Sequence, residues 1–178
     1  MSTEARPSDE RFPDPSKLFR LCWVSISWLP NRRGSGLRRF LLRRAGATVA
    51  DGVRIGPGVR VYGPKGLTIG AAANVSRDAL LDGRAGLTLG PRCVIGFESV
   101  LLTWGHRYDN FDTPVTKQGF DAKPIEIGEL AWVGARAFLM PGVRVGDNAI
   151  VGTMSLVTKD VPAGVIVGGV PAKLIGKR

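Results

Sequence analysis

The sequence predicts an all-β solenoid of short parallel strands, with a helical segment before it and one long loop protruding from it. Three observations lead to this fold. An aliphatic residue recurs every six positions from Val49 to Val157, small residues follow many of these, and in the first half of the series successive blocks of three units begin 20 residues apart. A helix would repeat every 3.6 residues and an ordinary strand every two, so neither accounts for the pattern.

The positions predicted to face the inside of the solenoid all carry an aliphatic side chain. They are Val49, Ile55, Val61, Ile69, Val75, Leu81, Leu89, Ile95 and Leu101, and, after an interruption, Ile127, Val133, Leu139, Val145, Val151 and Val157. Three flat strands per coil of about 18 residues would place these side chains inside a triangular prism, with Gly, Asn or Asp in the left-handed conformation at its corners. Stacked coils would hydrogen-bond to each other at the ~4.8 Å strand spacing.

Composition and charge set the limits of the interpretation. A chain of 178 residues forms one domain with a sizeable core. Of the net charge of +10, residues 1–46 carry +6, from ten Lys/Arg and four Asp/Glu. Cys22 and Cys93 lie far apart without a CxxC partner, which indicates neither a metal site nor a disulfide framework and favours a reducing cytoplasm. The apolar run from Leu18 to Leu29 is too short to span a bilayer, and no cleavage site follows it.

The helical segment is predicted over residues 17–46, after a polar, disordered lead over 1–16. One helix runs from about Lys17 to Leu29 and a second lies in "SGLRRFLLRR", where Ser35 is the expected cap. In the second helix the apolar side chains form one face and the basic ones the other: Leu37, Phe40 and Leu41 against Arg38, Arg39, Arg43 and Arg44. This basic collar has three interpretations: helices that cap the core, contact with an anionic membrane face, or contact with nucleic acid, for which no groove-reading element is present.

Several stretches of the sequence resemble one known family. The aliphatic-glycine hexads, "AWVGARAFLMPGVRVGDNAIVGTMSLVTKDVP" and "VIVGGVPAKLIGKR" are similar to the hexapeptide-repeat acyltransferases. More narrowly, "LRRFLLRRAGATVADGVRIGPGVRVYGPKGLTIG" and "GHRYDNFDTPVTKQGF" resemble the colanic-acid type of polysaccharide O-acetyltransferase, a relative of the maltose and galactoside acetyltransferases. The resemblance covers residues 17–178. It implies a left-handed parallel β-helix over 47–162, a tail over 163–178 that closes the donor site, a homotrimer, and acetyl-CoA as donor.

The interruption of the repeat is predicted to carry the catalytic base. The inserted loop, about residues 107–124, serves no packing need in a prism whose coils are complete, and its aromatic residues indicate an ordered arm. His106, the chain's only histidine, falls where the family's loop begins and its catalytic histidine stands, and an imidazole is suited to deprotonate a hydroxyl. The alternative is an ordinary surface histidine. A zinc site of the γ-carbonic-anhydrase kind needs several imidazoles, so we expect no metal.

Acceptor-binding residues are less clearly marked. Family members usually have an Asn or Asp one coil before the histidine, which makes Asp82 the first candidate and Asp78 the second. Tyr108 on the arm is a third. For the aspartates a solvated corner is the alternative. The Asn of related "DN" corners is Gly83 here, which departs from the family pattern.

The resemblance places the donor in a groove between neighbouring subunits, beside the coils after the loop. The residues it assigns there are Trp132, Gly134, Ala135, Gly152, Thr153, Lys159 and Lys173. The glycine and alanine would let pantetheine approach the backbone, a main-chain N–H would stabilise the oxyanion, and the lysines would meet the CoA phosphates. Simple packing for the tryptophan and solvated surface charge for the lysines are the alternatives.

These features and the resemblance together predict a cytoplasmic O-acetyltransferase that acetylates a sugar hydroxyl in surface or exported polysaccharide synthesis. The inner face of the membrane is a candidate place for this reaction. Two alternatives stay open at this point. One is acetylation of a small molecule such as serine or a xenobiotic, although the large N-terminal helical domain typical of serine acetyltransferases is missing. The other is a non-catalytic β-helix scaffold that binds a sugar nucleotide.

Overall fold

The computed structural model describes residues 17–178 and shows a left-handed parallel β-helix of about six coils with two helices at its N-terminal end. The predicted lead over 1–16 lies outside the described residues. Helix α1 spans Lys17–Ser27 and α2 spans Asn31–Arg44. The helices are followed by three parallel sheets that form the faces of a triangular prism, so the predicted fold class is confirmed.

Each coil contributes one strand to each face. The first face contains β1 (Thr48–Val49), β4 (Leu67–Ile69), β7 (Leu87–Leu89), β12 (Ile125–Ile127) and β15 (Arg144–Val145). The second contains β2 (Arg54–Ile55), β5 (Asn74–Val75), β8 (Val94–Ile95), β13 (Trp132–Val133), β16 (Ile150–Val151), β18 (Val165–Gly168) and the antiparallel β19 (Lys173–Lys177). The third contains β3 (Arg60–Tyr62), β6 (Leu80–Asp82), β9 (Val100–Leu101), β14 (Phe138–Leu139) and β17 (Leu156–Val157). An antiparallel pair, β10 (Trp104–His106) and β11 (Phe120–Ala122), stands apart from the prism.

The core consists of the aliphatic series that the period predicts. Every one of its positions, from Val49 to Val157, is buried. A second buried row, which the period did not reveal, lies two residues before many of these and consists mostly of small side chains such as Ala73, Cys93 and Ala131. The small residues of this row lie mostly on the second and third faces, whereas the first face has the larger Leu67, Leu87 and Ile125. Burial also raises the pKa of the Cys93 thiol to about 12, which keeps it protonated.

The corners follow a looser rule than expected. Positive φ angles occur not only at glycine and at Asp78 and Asn148 but also at Ala72, Arg92, Glu98, Leu130, Arg136 and Met154. The restriction to Gly, Asn and Asp was therefore wrong. At each of these corners the backbone N–H donates to a carbonyl of the preceding coil, as from Glu98 to Arg77 and from Arg136 to Phe97. These hydrogen bonds between coils offset the cost of the left-handed conformation.

Helix α2 turns a different face to the protein than its amphipathic pattern predicts. Arg38 is fully buried, whereas Phe40 is 57% exposed and Leu37 is also exposed. Ser35 does not cap the helix, which begins at Asn31; its hydroxyl accepts the N–H of Ile55 at 3.0 Å. The helix packs on the edge of the first coil, where backbone groups need hydrogen-bond partners more than apolar cover.

The arginines of the collar satisfy this edge. Arg38 Nε donates to the Ile55 carbonyl at 2.9 Å, and its Nη1 donates to three carbonyls at the end of α1 and in the turn after it, those of Ile26, Ser27 and Leu29. Arg39 donates to the Val53 carbonyl and Arg43 to that of Val49. The first of the three interpretations of the collar, a cap on the core, therefore describes the arrangement of these side chains.

We expect Arg38→Met to lower the free energy of unfolding by about 3 kcal/mol, because it leaves several buried carbonyls without a donor. Urea denaturation at fixed protein concentration measures the change. Arg44→Met, at an exposed position of the same helix, is the matched control and should change stability by no more than about 0.5 kcal/mol. Equal effects of the two substitutions would contradict the capping role.

Candidate active site

The arm that interrupts the repeat is an ordered hairpin. Strands β10 and β11 pair antiparallel, with His106 opposite Phe120. Beyond them the Gln118 side chain joins the two limbs, since its Nε2 donates to the carbonyls of Asn110 and Thr113 and its Oε1 accepts the N–H of Asn110. The arm leaves the corner between the third and first faces, which we call the arm corner; its other coils there include residues 63–66, 83–86, 140–142 and 158–160.

His106 is exposed at the base of this arm. A general base must be accessible to the hydroxyl that it deprotonates, and this position meets that requirement. Its ring contacts Phe120, with centroids 4.5 Å apart, and Trp104, at 5.8 Å. Within residues 17–178 the imidazole makes no hydrogen bond. Contacts between rings therefore determine its orientation in the chain.

Asp82 lies in the coil that precedes the arm, and the protein itself engages both oxygens of its carboxylate. Its carboxylate is fully buried and accepts hydrogen bonds from Arg84 Nε at 2.8 Å and Nη2 at 2.9 Å, from the Arg84 N–H and from the Thr103 N–H. A direct contact with an acceptor would require this ion pair to break. Arg84 in turn stacks on Trp104, 3.9 Å from the ring centroid. The sequence reasoning missed Arg84 and Trp104; the stacked coils align "DGR" with the base of the arm, which is the signal for them.

The two other acceptor candidates lie apart from each other. Asp78 occupies a positive-φ position at the corner between the second and third faces, which we call the second corner and which also includes residues 57–58, 97–98, 135–136 and 153–154. Tyr108 is 80% exposed on the arm beyond His106. Near Asp78, a depression of about 400 Å³ has a mixed lining of Ser35, Arg54, Asn74, Ser76 and Arg77 together with Gly56, Pro57 and Val75.

Most of the predicted donor residues lie at or near the second corner. Trp132 points outward from β13 and is 51% exposed. Gly134 is buried, and a Cβ there would lie 2.6 Å from the Thr153 amide nitrogen, so stacking of coils already requires a glycine without any pantetheine. Its N–H donates to the Val151 carbonyl. The N–H groups of Ala135 and Thr153 donate to no acceptor within the described residues.

The remaining donor candidates complete two separate groups. Gly152 and Thr153 stack below Gly134 and Ala135, and Lys173 begins β19 opposite Gly168. Lys159 instead lies on the arm corner, two coils below His106. The third face separates the two corners, a width of at most about 20 Å for six extended residues. One chain thus brings His106 and Lys159 to one corner and Ala135, Gly152 and Thr153 to another.

The described residues contain neither a metal-binding cluster nor a helix that could span a membrane. Among residues 17–178 no three His, Cys, Asp or Glu side chains cluster in a way that could hold a metal ion. Neither of the described helices has the length and hydropathy to cross a bilayer.

Known proteins resemble this chain in sequence and in structure. No protein-family profile matches it. The putative colanic acid biosynthesis acetyltransferase WcaF of Escherichia coli (strain K12) is 38% identical over 141 residues, which are 79% of this chain and 75% of the relative. A chloramphenicol acetyltransferase of Morganella morganii is 38% identical over 108 residues, which are 52% of this chain and 51% of the relative. A galactoside acetyltransferase solved in complex with coenzyme A superposes with a TM-score of 0.80 at 24% identity, over 99% of this chain and 85% of that one, and shows the shared fold.

The left-handed β-helix with a histidine-bearing arm, together with the 38% identity to an acetyltransferase, places the chain in the class of β-helix acyltransferases. Within that class, the similarity to the colanic acid acetyltransferase over three quarters of its length shows that the chain belongs to the hexapeptide-repeat acyltransferase family, as the motifs predicted. It is an acetyl-CoA-dependent enzyme of that family.

Proposed function

We propose that the protein transfers the acetyl group of acetyl-CoA to a hydroxyl of a sugar during synthesis of a surface or exported polysaccharide. The observation that carries the proposal is the placement of His106, the chain's only histidine, on an ordered arm of a β-helix that belongs to this family. The similarity to the colanic acid relative supports a polysaccharide acceptor. The hydroxyl, amide and guanidinium groups of Ser76, Asn74 and Arg77 in the depression near Asp78 could hydrogen-bond to a hydroxylated acceptor.

In the proposed mechanism the imidazole of His106 takes the proton of the acceptor hydroxyl while the hydroxyl oxygen attacks the thioester carbonyl. The Ala135 N–H is the proposed donor to the oxyanion that forms. When this tetrahedral intermediate collapses, the carbon–sulfur bond breaks, and the CoA thiolate leaves and takes up the proton from the imidazolium. The acetyl group then remains on the sugar oxygen as an ester.

We further propose that the active unit is a homotrimer, because the two groups of site residues lie on different corners of one chain. The outward residues of the first face are polar, namely Thr48, Thr68, Thr88, Glu126 and Arg144, whereas the other two faces present apolar rows: Val94, Trp132, Ile150 and Ile166 on the second, and Leu80, Val100, Phe138 and Leu156 on the third. Phe111 on the arm is fully exposed in the single chain. Packing of the third faces of three chains around a threefold axis would bring the arm corner of one subunit against the second corner of its neighbour, because the third face ends at these two corners.

The acceptor class is tested by incubating the purified protein with acetyl-CoA and a panel of sugars, sugar nucleotides and lipid-linked glycans, with free thiol as the readout and mass spectrometry of the product. Acetylation of a carbohydrate is the expected result. The similarity to a chloramphenicol acetyltransferase over half of the chain favours xenobiotic acetylation as the second candidate function, so chloramphenicol and serine belong in the panel. Acetylation of either one without any carbohydrate would overturn the proposal, and failure to bind acetyl-CoA would favour an inactive scaffold.

The donor-site lysines give a second test. Lys159 and Lys173 are both exposed, and lysines that meet the CoA phosphates add an attraction that salt screens. We therefore expect Lys159→Ala and Lys173→Ala each to raise the KM for acetyl-CoA and to make it less sensitive to salt, with little change in the acceptor KM.

Lys65→Ala is the matched control for the lysine variants, since Lys65 is an exposed lysine of the arm corner in the first coil. It should leave both constants unchanged. An unaltered acetyl-CoA KM with an unaltered salt dependence in both test variants would show that the two lysines are ordinary surface charge.

The place of action that we propose is the cytoplasm, where acetyl-CoA is available, at the inner face of the membrane if the acceptor is lipid-linked. Because Arg38, Arg39 and Arg43 cap the β-helix, a peripheral membrane contact would depend on other groups, among them the exposed Leu21, Val24 and Trp28. Sedimentation with anionic vesicles tests this contact.

A further inference from the structure

We propose that Arg84 and Trp104, held by the buried Asp82, are positioning residues that fix the orientation of the His106 imidazole. The inference rests on the proposed function of His106 as the base. It replaces direct acceptor binding by Asp82 with a role that acts through two neighbours. Asp82 and Arg84 lie in "LLDGR" of one coil, and Trp104 and His106 lie in "TWGH" of the next.

The path begins with a buried carboxylate that joins two coils. Besides both guanidinium nitrogens of Arg84, Asp82 accepts the N–H of Thr103 at 3.3 Å. Thr103 is the residue immediately before β10, and its own hydroxyl accepts the Ala85 N–H at 3.2 Å. The base of the arm is therefore tied at two points to the corner of the coil above it.

The carboxylate also sets the plane of the guanidinium. A bidentate pair with Asp82 leaves Arg84 little freedom to rotate, and its side chain is only 19% exposed. The guanidinium carbon lies 3.9 Å from the Trp104 ring centroid and 5.2 Å from that of Tyr62. Stacking on an aromatic ring is strongest when the cation is desolvated, as it is here.

Aromatic contacts connect Trp104 to the His106 imidazole. Trp104 contacts Phe120 with centroids 4.3 Å apart, and Phe120 contacts His106 at 4.5 Å. Trp104 also lies beside His106 directly, at 5.8 Å. Because the imidazole makes no hydrogen bond within residues 17–178, a shift of the Trp104 ring would also shift the position of the imidazole.

A role in positioning explains why an ion pair occupies this site. A buried pair contributes little net stability compared with well-packed apolar residues, because both charges must be desolvated. An aliphatic residue in place of Arg84 would fill the space but would give Trp104 no flat, charged surface to stack on. A misplacement of a catalytic group by about 1 Å lowers the rate by about 10²-fold, so a rigid support for the arm matters to the reaction.

Kinetics of four single variants test the proposal. Arg84→Gln and Trp104→Ala should lower kcat by about 10- to 100-fold with an unchanged KM for acetyl-CoA. Arg84→Lys, which keeps the charge, and Trp104→Phe, which keeps a ring, should each retain more activity than the first two. Arg92→Gln is the control, because Arg92 forms an exposed ion pair with Glu129 away from the arm; it should leave kcat unchanged.

A double-substitution cycle separates positioning of His106 from an independent contact with the acceptor. In a His106→Ala background, Arg84→Gln should cause no further loss of kcat, because there is no imidazole left to orient. A further loss of the same size as in the wild type would overturn the proposal. So would a kcat for Arg84→Gln equal to that of Arg92→Gln.

Proton NMR of the imidazole tests the arrangement independently of turnover. His106 is the only histidine, so its ring signals in the untagged protein need no further assignment. Ring currents from Trp104 and Phe120 should shift these signals. Arg84→Lys should change the shifts, and because it keeps a partner for Asp82 it can be used even if Arg84→Gln does not fold. Unchanged chemical shifts in Arg84→Lys and Trp104→Phe would overturn the positioning role. Changed shifts in a protein that transfers no acetyl group would support the positioning role and refute the proposed function instead.

Discussion

His106→Ala should lower kcat by about 10²–10⁴-fold, the largest effect expected from any single side chain of this protein. Without the imidazole, the sugar hydroxyl must attack the thioester without a positioned base. The change is measured by thiol release from acetyl-CoA at saturating acceptor.

Binding and stability serve as controls for this variant. His106 is exposed and its ring packs against Phe120 and Trp104, so the melting temperature and the Kd for CoA should remain close to those of the wild type. Retained turnover would show that another group is the base. A collapse of the fold would instead favour the interpretation of His106 as a structural residue of the arm.

Mixed trimers should recover activity from two inactive variants. If each site combines the arm corner of one subunit with the second corner of its neighbour, His106→Ala and Ala135→Asp disable opposite halves of the site. In trimers assembled at random from equal amounts of the two, about a quarter of the sites then carry both intact halves. Coexpression with two different affinity tags, followed by sequential purification, removes the homotrimers, so about a third of the sites in the purified mixed trimers should be intact, and an assay of thiol release measures this recovery.

The comparison for the mixing experiment is the pair of parent variants, each of which should be inactive alone. A site contained within one subunit would give no recovery, because no subunit in the mixture carries both intact residues. A monomer by light scattering at micromolar concentration would also remove the shared site, since nothing would then bring the two corners together.

The fold could be predicted from the sequence because its core follows one rule. Each inward position needs an aliphatic side chain at a fixed distance along the chain, and all of them, from Val49 to Val157, are buried as expected. The error in α2 arose because an amphipathic helix is normally assumed to turn its apolar side inward. Here Arg38 is inside and Phe40 outside, because the surface that α2 covers is a strand edge with exposed carbonyls.

The site was only partly accessible to the same reasoning. The position of His106 could be predicted because a single histidine in a long insertion leaves few alternatives. The contacts of Asp82 could not, since a sequence does not show that Arg84 binds both of its oxygens. Nor does a sequence show which corner of the prism each motif reaches, and the separation of Ala135 from His106 appears only once the coils are stacked.

The arginine cap bears on the length of this molecule. A stack of identical coils has no internal reason to stop, and an uncapped end could accept the end of another molecule and begin a fibre. Because Arg38, Arg39 and Arg43 occupy the carbonyls at one end, and the antiparallel β19 pairs with β18 at the other, termination is separated from the repeating interior. A whole coil could therefore be added or removed between these two ends without exposing an uncapped edge, so the length of the β-helix can be changed independently of its caps.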